Sequence, residues 1–530
     1  MEDLLLAKQD IKQLTELAGH LFTAQWPMLS LYQTLSDHFY PERSDFTVTR
    51  NVGQELADSL VDSYPVLVRR DLCNSFGSML RDGEWFNVGV DGESDHHGKM
   101  WLEFGTHKLR KLMNNREANF VRATKEGDHD YGTFGQCALS VERNRKADGL
   151  LYRCWHLRDM AWSDGCDGHI ELVARKWKPT YWHLKQYFAN TKLGLHESVA
   201  RSVKDTPFKQ ADIRHIVIPS EMYGDDEIQS RFKYVSLYID VANNHLMEEV
   251  GMHSKYYVIP RFQTIAGSPY AYSPATVVGL PDARALQAMT YTLLEAGERY
   301  ARPPIIATQK VIRGDVDLSA DGITWVDKEY DEKMGAALRT LPQDRGGFPI
   351  GEHMRAGIVD VLASAFYLNK ITLPETTHEM TAYEVQERMK QYRRENLPLF
   401  APIEAEYNAQ LCEASFDLAM ANGMLGSPYD IPESLQGKDV MFKFESPLSQ
   451  SEEEKKVNQF SQVSQLLAEA ADHDDTISAN VNLDVAFRDA VNGMGAPSTW
   501  LREMEQVLNS KHASAMQEAM QKSAELARVA

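Results

Sequence analysis

Residues 267–286 read GSPYAYSPATVVGLPDARAL, and the character of the chain changes within this stretch. Its first half combines Gly, Ser, Pro and Tyr, as loops do, whereas its second half begins a pattern with helical spacing. Pro281 and Asp282 are residue types that favour the first turn of a helix, and Pro303 follows as a stop. We therefore predict a helix from residue 281 to 301, about 31 Å long.

A second helix of similar length, about 28 Å, is predicted for residues 350–368. The residues between the two helices, 303–349, read as short strands and loops. This order predicts an antiparallel helix pair with the insert at its tip. Both helices are rich in Ala and Gly, and a helix with small or apolar residues over much of its surface requires neighbours on several sides. The packing positions that we predict are Gly297, Gly357 and Ala363.

The segments before this pair predict a helical part followed by a β-rich part. Apolar residues recur from 56 to 80 with a period close to 3.6, interrupted by Pro65. A further helix is predicted from Trp101 to Asn115, after a breaker at 82–99. Residues 133–265 contain short runs rich in β-branched and aromatic residues with turn residues between them, which is typical of strands.

The C-terminal part predicts helices and carries an excess of negative charge. A capping-box pattern at Thr381 and Glu384 begins a long helix with expected kinks near Pro398 and Pro402. Residues 430–530 contain 17 acidic against 9 basic residues and read as helical. No internal repeat is evident in the chain.

The chain has 530 residues, and 76 acidic against 56 basic residues give it a net charge of −20. This length exceeds the size at which one core stops growing, so we expect several substructures. The acidic balance argues against tight binding of nucleic acid, which needs a basic face, but it is compatible with a surface along which DNA slides. The five cysteines are scattered and no stretch is long and apolar enough to span a bilayer, so we expect a soluble chain made in a reducing compartment.

The sequence carries no motif of a catalytic or cofactor site. It lacks a phosphate-binding loop, a nucleophile elbow, a zinc-binding HExxH helix and a dinucleotide fingerprint. The best metal candidates are Cys154, His156, Cys166 and His169. Zinc ligands normally come as two close pairs, and this spacing is more typical of ordinary strand and turn residues. We therefore predict no catalytic residue, no cofactor and no metal site.

Short motifs along the chain resemble, in their order and spacing, those of the portal (head-to-tail connector) proteins of short-tailed, T7-like bacteriophages. The resemblance spans roughly residues 30–425, and residues 430–530 match only by being acidic, helical and terminal. The motifs that carry it are YPER at 40–43, RRDLCNSFGSMLRDGEWF at 69–86, WLEF at 101–104, DYGTFGQCALSVE at 130–142, SPYAYSPATVVGLPDARALQAM at 268–289, RPPII at 302–306 and MTAYEV at 380–385.

The resemblance implies a mixed α+β, predominantly helical fold of the portal type, assembled as a ring. Such a fold comprises a wing, a two-helix stem, a β-containing clip and a helical crown. The implied parts are a wing at 1–280 (helical, then β-rich), stem helix 1 at 281–302, the clip at 303–349, stem helix 2 at 350–368, a tunnel loop at 369–380, a long kinked wing or crown helix at 381–429 and an acidic helical crown at 430–530.

The resemblance also implies a function: a ring, usually of twelve subunits, at one capsid vertex, through which double-stranded DNA is packaged and ejected without sequence specificity. The implied partners are the chain itself, the terminase large subunit, a tail or adaptor protein, and the major capsid and scaffolding proteins, with no membrane. The implied location is the virion, after assembly in the host cytoplasm. Expected clip contacts are Trp325 and Phe348, because aromatic residues dominate partner interfaces. Expected channel residues are Lys370, Glu375 and His378.

Two other readings of the sequence remain open. The chain could be another structural or adaptor protein of a virion, such as a collar or tail component. It could also be a metal-dependent nuclease, which would need carboxylates that converge on a basic groove, and the sequence shows no such pattern. Native mass and negative-stain microscopy distinguish the three classes. An enzyme would be a monomer or small oligomer, a portal would appear as a hollow ring, and a six-fold adaptor would differ in copy number.

The loop at 369–380 offers a direct test of the DNA path. In a ring, Lys370 of every subunit would add to a belt of positive charge that briefly touches passing phosphates in an acidic tube. We expect Lys370→Glu to change stability by about 0.5 kcal/mol or less and to leave ring formation intact, while DNA packaging or retention falls. Full packaging by well-formed variant rings would remove Lys370 from the DNA path.

Overall fold

The structure of the protein is a computed structural model. The chain divides into two compact units: the first comprises Met1–Leu29, Cys73–Tyr272 and Leu373–Ala530, and the second comprises Ser30–Leu72 and Ser273–Thr372. The residues that the structure describes are 6–7, 10–51, 53–57, 60–81, 83–92, 95–188, 191, 193–301, 305–307, 338–340, 347–368, 403–427, 430–444, 450–471, 482–493, 500–502, 506–507, 509–510 and 516–517.

The architecture mixes helices and strands, as the sequence predicts. Within the described part of the chain, no helix is long and apolar enough to cross a membrane. The helices are α1 (Ile11–Phe39), α2 (Tyr64–Leu80), α3 (His96–Met113), α4 (Phe120–Phe134), α5 (Tyr181–Phe188), α6 (Glu197–Asp205), α7 (Asp226–Gln229), α8 (Leu280–Ala301), α9 (Gly347–Ala365), α10 (Ala409–Ala421), α11 (Gln450–Ala471) and α12 (Leu483–Gly493).

The strands form two main antiparallel sheets and several isolated pairs. The strands are β1 (Leu6–Ala7), β2 (Phe86–Val90), β3 (Ala138–Arg143), β4 (Leu150–Trp155), β5 (Met160–Asp164), β6 (Ile170–Trp177), β7 (Ile213–Pro219), β8 (Tyr223–Gly224), β9 (Tyr234–Asp240), β10 (His245–Met252), β11 (Tyr257–Val258), β12 (Ile305–Ala307), β13 (Leu338–Thr340) and β14 (Val440–Phe444). The larger sheet has the order β10-β9-β7-β6-β5 and the smaller has the order β11-β3-β4. Strands β1 and β8 pair in parallel, whereas β2 with β14 and β12 with β13 pair antiparallel.

One face of the five-stranded sheet packs against the first half of α1. Leu14, Ala18 and Leu21 lie on one side of that helix, since they are spaced four and three residues apart, and all three are buried. They contact alternate residues of the sheet, such as Ile216 and Ile218, which point to the same face of β7. This cluster forms a buried core on one face of the sheet.

The opposite face of the same sheet packs against α5 and α6. Leu184 and Phe188 of α5 and Val199 of α6 join a second buried cluster with Tyr238 of β9. The imidazole of His215 stacks on the Tyr238 ring at 3.9 Å between centroids, and burial lowers the pKa of His215 well below its usual value. The sheet is therefore covered on both faces, and its buried histidine serves as a neutral packing residue.

The start of α2 corrects the sequence-based prediction of a helix from residue 56 with a break at Pro65. The helix begins at Tyr64, and the described residues before it, 53–57 and 60–63, are not helical. Pro65 lies in the first turn, where its missing N–H costs no hydrogen bond. The carboxylate of Asp62 accepts a hydrogen bond from the Tyr64 N–H at 3.0 Å and so fixes the helix start.

The start of α3 corrects a second boundary, because the helix begins at His96 and not at Trp101. The Asp95 carboxylate accepts a hydrogen bond from the Gly98 N–H at 2.7 Å, which is the usual capping contact of an aspartate. The segment expected to be a breaker also contains β2. That strand was missed because its partner, β14, lies in a remote part of the chain.

A buried ion pair joins distant parts of the first unit. Nη1 of Arg81 donates to both carboxylate oxygens of Asp128 at 2.8 Å, and each side chain is 4% exposed. Nε of Arg81 donates to Asn408 Oδ1 at 2.9 Å, and the guanidinium lies 4.3 Å from the centre of the Tyr407 ring. Burial alone would lower the pKa of Arg81, but the Asp128 carboxylate outweighs this effect and the pKa is raised. The pair therefore links the end of α2, helix α4 and the π-helical turn before α10.

Removing one partner of this pair should strongly destabilise the first unit, because the other charge stays buried without compensation. We expect Arg81→Met to lower the free energy of unfolding by about 3–5 kcal/mol. Urea titration followed by circular dichroism measures the change. Arg122→Met is the matched control, since Arg122 pairs with Glu126 at the surface and should change little. Equal effects of both substitutions would contradict the role of the buried pair.

Candidate assembly site on helices α8 and α9

Helix α8 is preceded by a π-helical turn, Ala275–Gly279. Pro281 accounts for this turn: it has no N–H, and its ring crowds the carbonyl group four residues earlier, that of Val277. The wider π turn relieves the crowding without interrupting the helical path. Helix α8 then begins at Leu280, one residue before the predicted start.

Helices α8 and α9 pack against each other in antiparallel orientation, as the sequence predicts. The contacts, in order along α9, are Gly351 with Leu293, Arg355 with Thr290, and Phe366 with Gly279. Residue numbers fall along α8 as they rise along α9, which defines the orientation. The insert between the helices starts and ends with the antiparallel strands β12 and β13.

Two glycines allow the close approach of these helices. A Cβ atom added at Gly351 would lie 2.7 Å from Cδ2 of Leu293. A Cβ atom added at Gly279 would lie 3.0 Å from the Phe366 ring and 3.1 Å from the Phe39 ring. A larger residue at either position would require the neighbouring side chains to shift.

Asp62 connects three helices of the second unit. Its Oδ2 accepts hydrogen bonds from Arg355 Nη2 at 2.6 Å and from Thr290 Oγ1 at 3.0 Å, while its Oδ1 accepts from the Tyr64 N–H. The Asp62 side chain is 5% exposed. Burial by itself would raise the pKa of Asp62, but these hydrogen bonds and the charge of Arg355 outweigh burial and lower it. The carboxylate is therefore ionised at neutral pH.

The side chain of Gln287 binds the backbone of the loop that contains Val61 and Asp62, just before α2. Its Oε1 accepts hydrogen bonds from the N–H groups of Val61 and Asp62, both at 2.9 Å, and its Nε2 donates to the Asp62 carbonyl oxygen. An amide with both ends bound to one loop cannot rotate without losing all of these bonds. The loop before α2 is thus fixed to the middle of the helix pair.

Helix α9 has two unlike flanks beside its contact with α8. At about 100° per residue, Ile350, Met354 and Val361 align on one flank, and they are 48–63% exposed. The other flank carries Ala356 and Ala363, which are exposed and half-buried respectively. One flank of α9 is therefore bulky and apolar, and the other is smooth.

Helix α8 carries a large exposed side chain on one flank and residues of mixed size on the other. Tyr291, which is 61% exposed, projects from one flank. The opposite flank carries the small Ala285 and Ala296, together with half-buried Met289 and with Tyr300, which is 42% exposed. Because the helices are antiparallel, Tyr291 lies on the same side of the pair as the alanine flank of α9. One side of the pair thus combines Tyr291 with the smooth flank of α9, and the other side carries the bulky flank of α9.

The structure locates only some of the predicted site residues. A Cβ atom added at Gly297 or Gly357 would meet no atom within 4 Å, so neither glycine mediates the contact between α8 and α9. Ala363 lies on the smooth flank of α9, and Phe348 is exposed at the start of that helix. The predicted residues that lie outside the described part of the chain are Trp325, Lys370, Glu375 and His378.

The sequence reasoning missed the residues that hold the pair together. These are Asp62, Gln287, Arg355, Gly279 and Gly351. The one available signal was Asp62 itself, which stands three residues before Pro65 and so marks a helix start of the type that aspartate caps. Nothing in the spacing of the others distinguishes them from neighbouring helical residues.

The metal candidates of the sequence occupy ordinary structural positions. Cys154 lies in β4 with its Sγ 3.8 Å from Asp130 Oδ2, and His156 Nδ1 accepts a hydrogen bond from the Arg158 N–H. Cys166 and His169 lie in the turn between β5 and β6. Among the residues that the structure describes, no group of three or more His, Cys, Asp or Glu side chains is placed to hold a metal ion.

Replacing Asp62 by Asn should loosen the helix pair in a pH-dependent way. The lowered pKa means that the carboxylate stabilises the fold above its unfolded pKa of about 3.9 and that this stabilisation is lost as the pH falls through the lower folded value. We expect Asp62→Asn to cost about 1–3 kcal/mol at pH 7 and less at pH 3. Hydrogen exchange of the α8 amides at both pH values measures the difference from wild type. Glu352→Gln, at an exposed position of α9, should have no such effect, and a pH-independent cost at Asp62 would contradict the ionised contact.

Comparison with known proteins identifies the family. A family model described as bacteriophage head to tail connecting protein matches residues 11–501. The portal protein of Salmonella phage epsilon15 is 21% identical over 538 residues, which cover 96% of this chain and 91% of that protein.

Two solved structures are similar to part of the chain. One chain in the structure of the virion of a native gene transfer agent particle aligns over 81% of this chain and 94% of its own length, with 10% identity and a TM-score of 0.36. One chain in the structure of the neck of an empty gene transfer agent particle, computed with C6 symmetry, aligns over 76% of this chain and 86% of its own length. Its identity is 10% and its TM-score is 0.37. The family model spans nearly the whole sequence and agrees with the resemblance in its motifs: the chain belongs to the bacteriophage head to tail connecting protein family and has the structural role of a portal protein.

Proposed function

We propose that the protein assembles into a closed ring at one vertex of the phage capsid, and that double-stranded DNA enters and leaves the capsid through the ring. The observation that carries this proposal is the opposite character of the two flanks of α9. Exposed Ile350, Met354 and Val361 on one side match the smooth alanine flank on the other. Each helix pair can therefore pack against the next copy along a complementary surface.

This complementarity favours a ring over a two-fold dimer. Two bulky flanks of α9 cannot approach each other closely, whereas a bulky flank and a smooth flank can interdigitate. A contact between two different patches is heterologous, and its repetition closes into a ring when the rotation per subunit divides a full turn. Twelve copies is the number that the resemblance to portal proteins implies.

The remaining parts of the chain take their roles from this arrangement. In the proposal, α8 and α9 form the stem, residues 303–349 form the clip that meets the terminase and the tail, and residues 369–380 form a tunnel loop. Residues 1–280 form the wing and residues 430–530 form the crown. The pairing of β12 with β13 supports the clip as a distinct insert, because it closes the segment at its base.

The charge of the chain suits passage of DNA and not its retention. With a net charge of −20 per subunit, the ring repels phosphates and holds DNA weakly, so the duplex can slide. In the proposal the protein catalyses no reaction: the terminase drives the DNA, and the ring provides the docking surface and the path. Capsid and scaffolding proteins are its partners during assembly in the host cytoplasm.

Ring formation can be tested by filling the smooth surface of the pair. We expect Ala363→Phe to block the approach of the next copy and to leave mostly monomers. The new phenyl group would occupy the space for Ile350, Met354 or Val361 of that copy. Gly357→Phe, beside the bulky flank, should act in the same direction. Native mass spectrometry and negative-stain microscopy measure the assembly state.

The control for this test is Ala288→Phe. Ala288 is exposed on the side of α8 opposite α9 and away from both flanks, so the same change of size should leave rings intact. Circular dichroism confirms that each variant is folded. Intact rings from Ala363→Phe and Gly357→Phe, or loss of rings from Ala288→Phe as well, would contradict the proposed interface.

A further inference from the structure

The segment from His96 to Lys125 is basic in an acidic protein. It contains seven Lys or Arg residues against two Asp or Glu residues, whereas the chain as a whole has a net charge of −20. Most of these cations belong to α3 and to the start of α4. The local excess of positive charge is therefore a specific feature of this part of the first unit.

Helix α3 also exposes large apolar side chains among these cations. Met100 is 38% exposed and Phe104 is 54% exposed, one turn apart on the helix. At about 100° per residue, His107, Lys108 and Lys111 share the same face, and Lys108 Nζ lies 5.3 Å from the centre of the Phe104 ring. We call this face, from His97 through Met100, Phe104, His107 and Lys108 to Lys111, the α3 stripe.

The α3 stripe cannot turn inward. The opposite face of the helix is buried through Leu102, Leu109 and Met113. The Thr106 hydroxyl, on that buried face, accepts a hydrogen bond from the Val88 N–H at 2.9 Å, which ties the helix to β2. The exposed Met100 and Phe104 are thus a fixed feature of the surface.

The composition of the stripe distinguishes between possible partners. Phosphate groups of nucleic acid bind cations and hydrogen-bond donors and gain nothing from exposed Met and Phe. A membrane surface needs a wide apolar helix face, and the wide apolar face of α3 is already buried in the protein. Protein interfaces concentrate aromatic residues and Met, and surrounding cations select an acidic partner. Glu103 and Asp95 lie only at the edges of the stripe.

We propose that the α3 stripe is a docking surface for an acidic, amphipathic segment of a partner protein. Apolar side chains of that segment cover Met100 and Phe104. Its carboxylates lie against Lys108 and Lys111. The proposal is independent of the ring, because the stripe lies in the first unit and the helix pair α8–α9 lies in the second.

Fluorescence anisotropy with two labelled synthetic peptides of 18 residues or so tests the proposal on the full-length protein. One peptide is a helix with a Leu face and Glu elsewhere, and the other has Lys in place of Glu. We expect only the Glu peptide to bind. Phe104→Ser and Lys111→Glu should each weaken that binding about tenfold or more. Phe208→Ser and Lys204→Glu, at exposed positions elsewhere in the first unit, should leave it unchanged.

Two further probes test whether the stripe binds nucleic acid or a lipid surface instead of an acidic peptide. A short DNA duplex and vesicles of phosphatidylcholine with phosphatidylglycerol are titrated in parallel. Stripe-dependent binding of either probe instead of the Glu peptide would overturn the proposal, and so would no peptide binding or an equal effect of all four substitutions. A changed native mass of Phe104→Ser would mean that the stripe contacts a second copy, which also overturns it. Lys108→Glu replaces Lys111→Glu if that variant does not fold.

Discussion

The helix pair α8–α9 depends on one buried carboxylate. An ionised carboxylate only accepts hydrogen bonds, and Asp62 uses both of its oxygens: one for the Tyr64 N–H at the start of α2, the other for Thr290 of α8 and Arg355 of α9. Because the group is almost fully buried, a missing donor would leave an uncompensated charge. The three helices of the second unit are therefore fixed to each other at one point, and any surface formed by α8 and α9 together inherits its geometry from that point.

Small residues serve two different purposes on this pair. Gly279 and Gly351 face side chains at the contact between the two helices, and an added Cβ atom would lie within 2.7–3.1 Å of them. Gly297 and Gly357 face open space, and the alanines of the smooth flank of α9 are exposed or half-buried. Small residues at exposed positions contribute nothing to packing within one chain. In the proposed contact between copies, the alanines of α9 receive the exposed Ile, Met and Val side chains of the next copy.

The sequence predicted local features well and tertiary contacts poorly. Both helices of the pair and their antiparallel order follow from proline, glycine and alanine patterns, which act over a few residues. The contact of Gly351 with α8 did not follow from the sequence, because Gly351 and Gly357 lie on the same helix and only the position of α8 distinguishes them. Asp62 was assigned to a helix because the apolar period continues through it, whereas its capping contact ends that period. Strand β2 was missed for the same reason: its partner is remote in the chain.

Net charge is a poor guide to individual surfaces of this protein. The total of −20 describes how the particle repels a long polyanion, but it averages over a basic segment at α3 and an acidic C-terminal region. A ring would present every such surface once per subunit, so a partner that is itself repeated or multivalent gains affinity from simultaneous contacts without any single strong one. In the proposed ring, repetition of the stripe would add to the affinity of each single contact with such a partner.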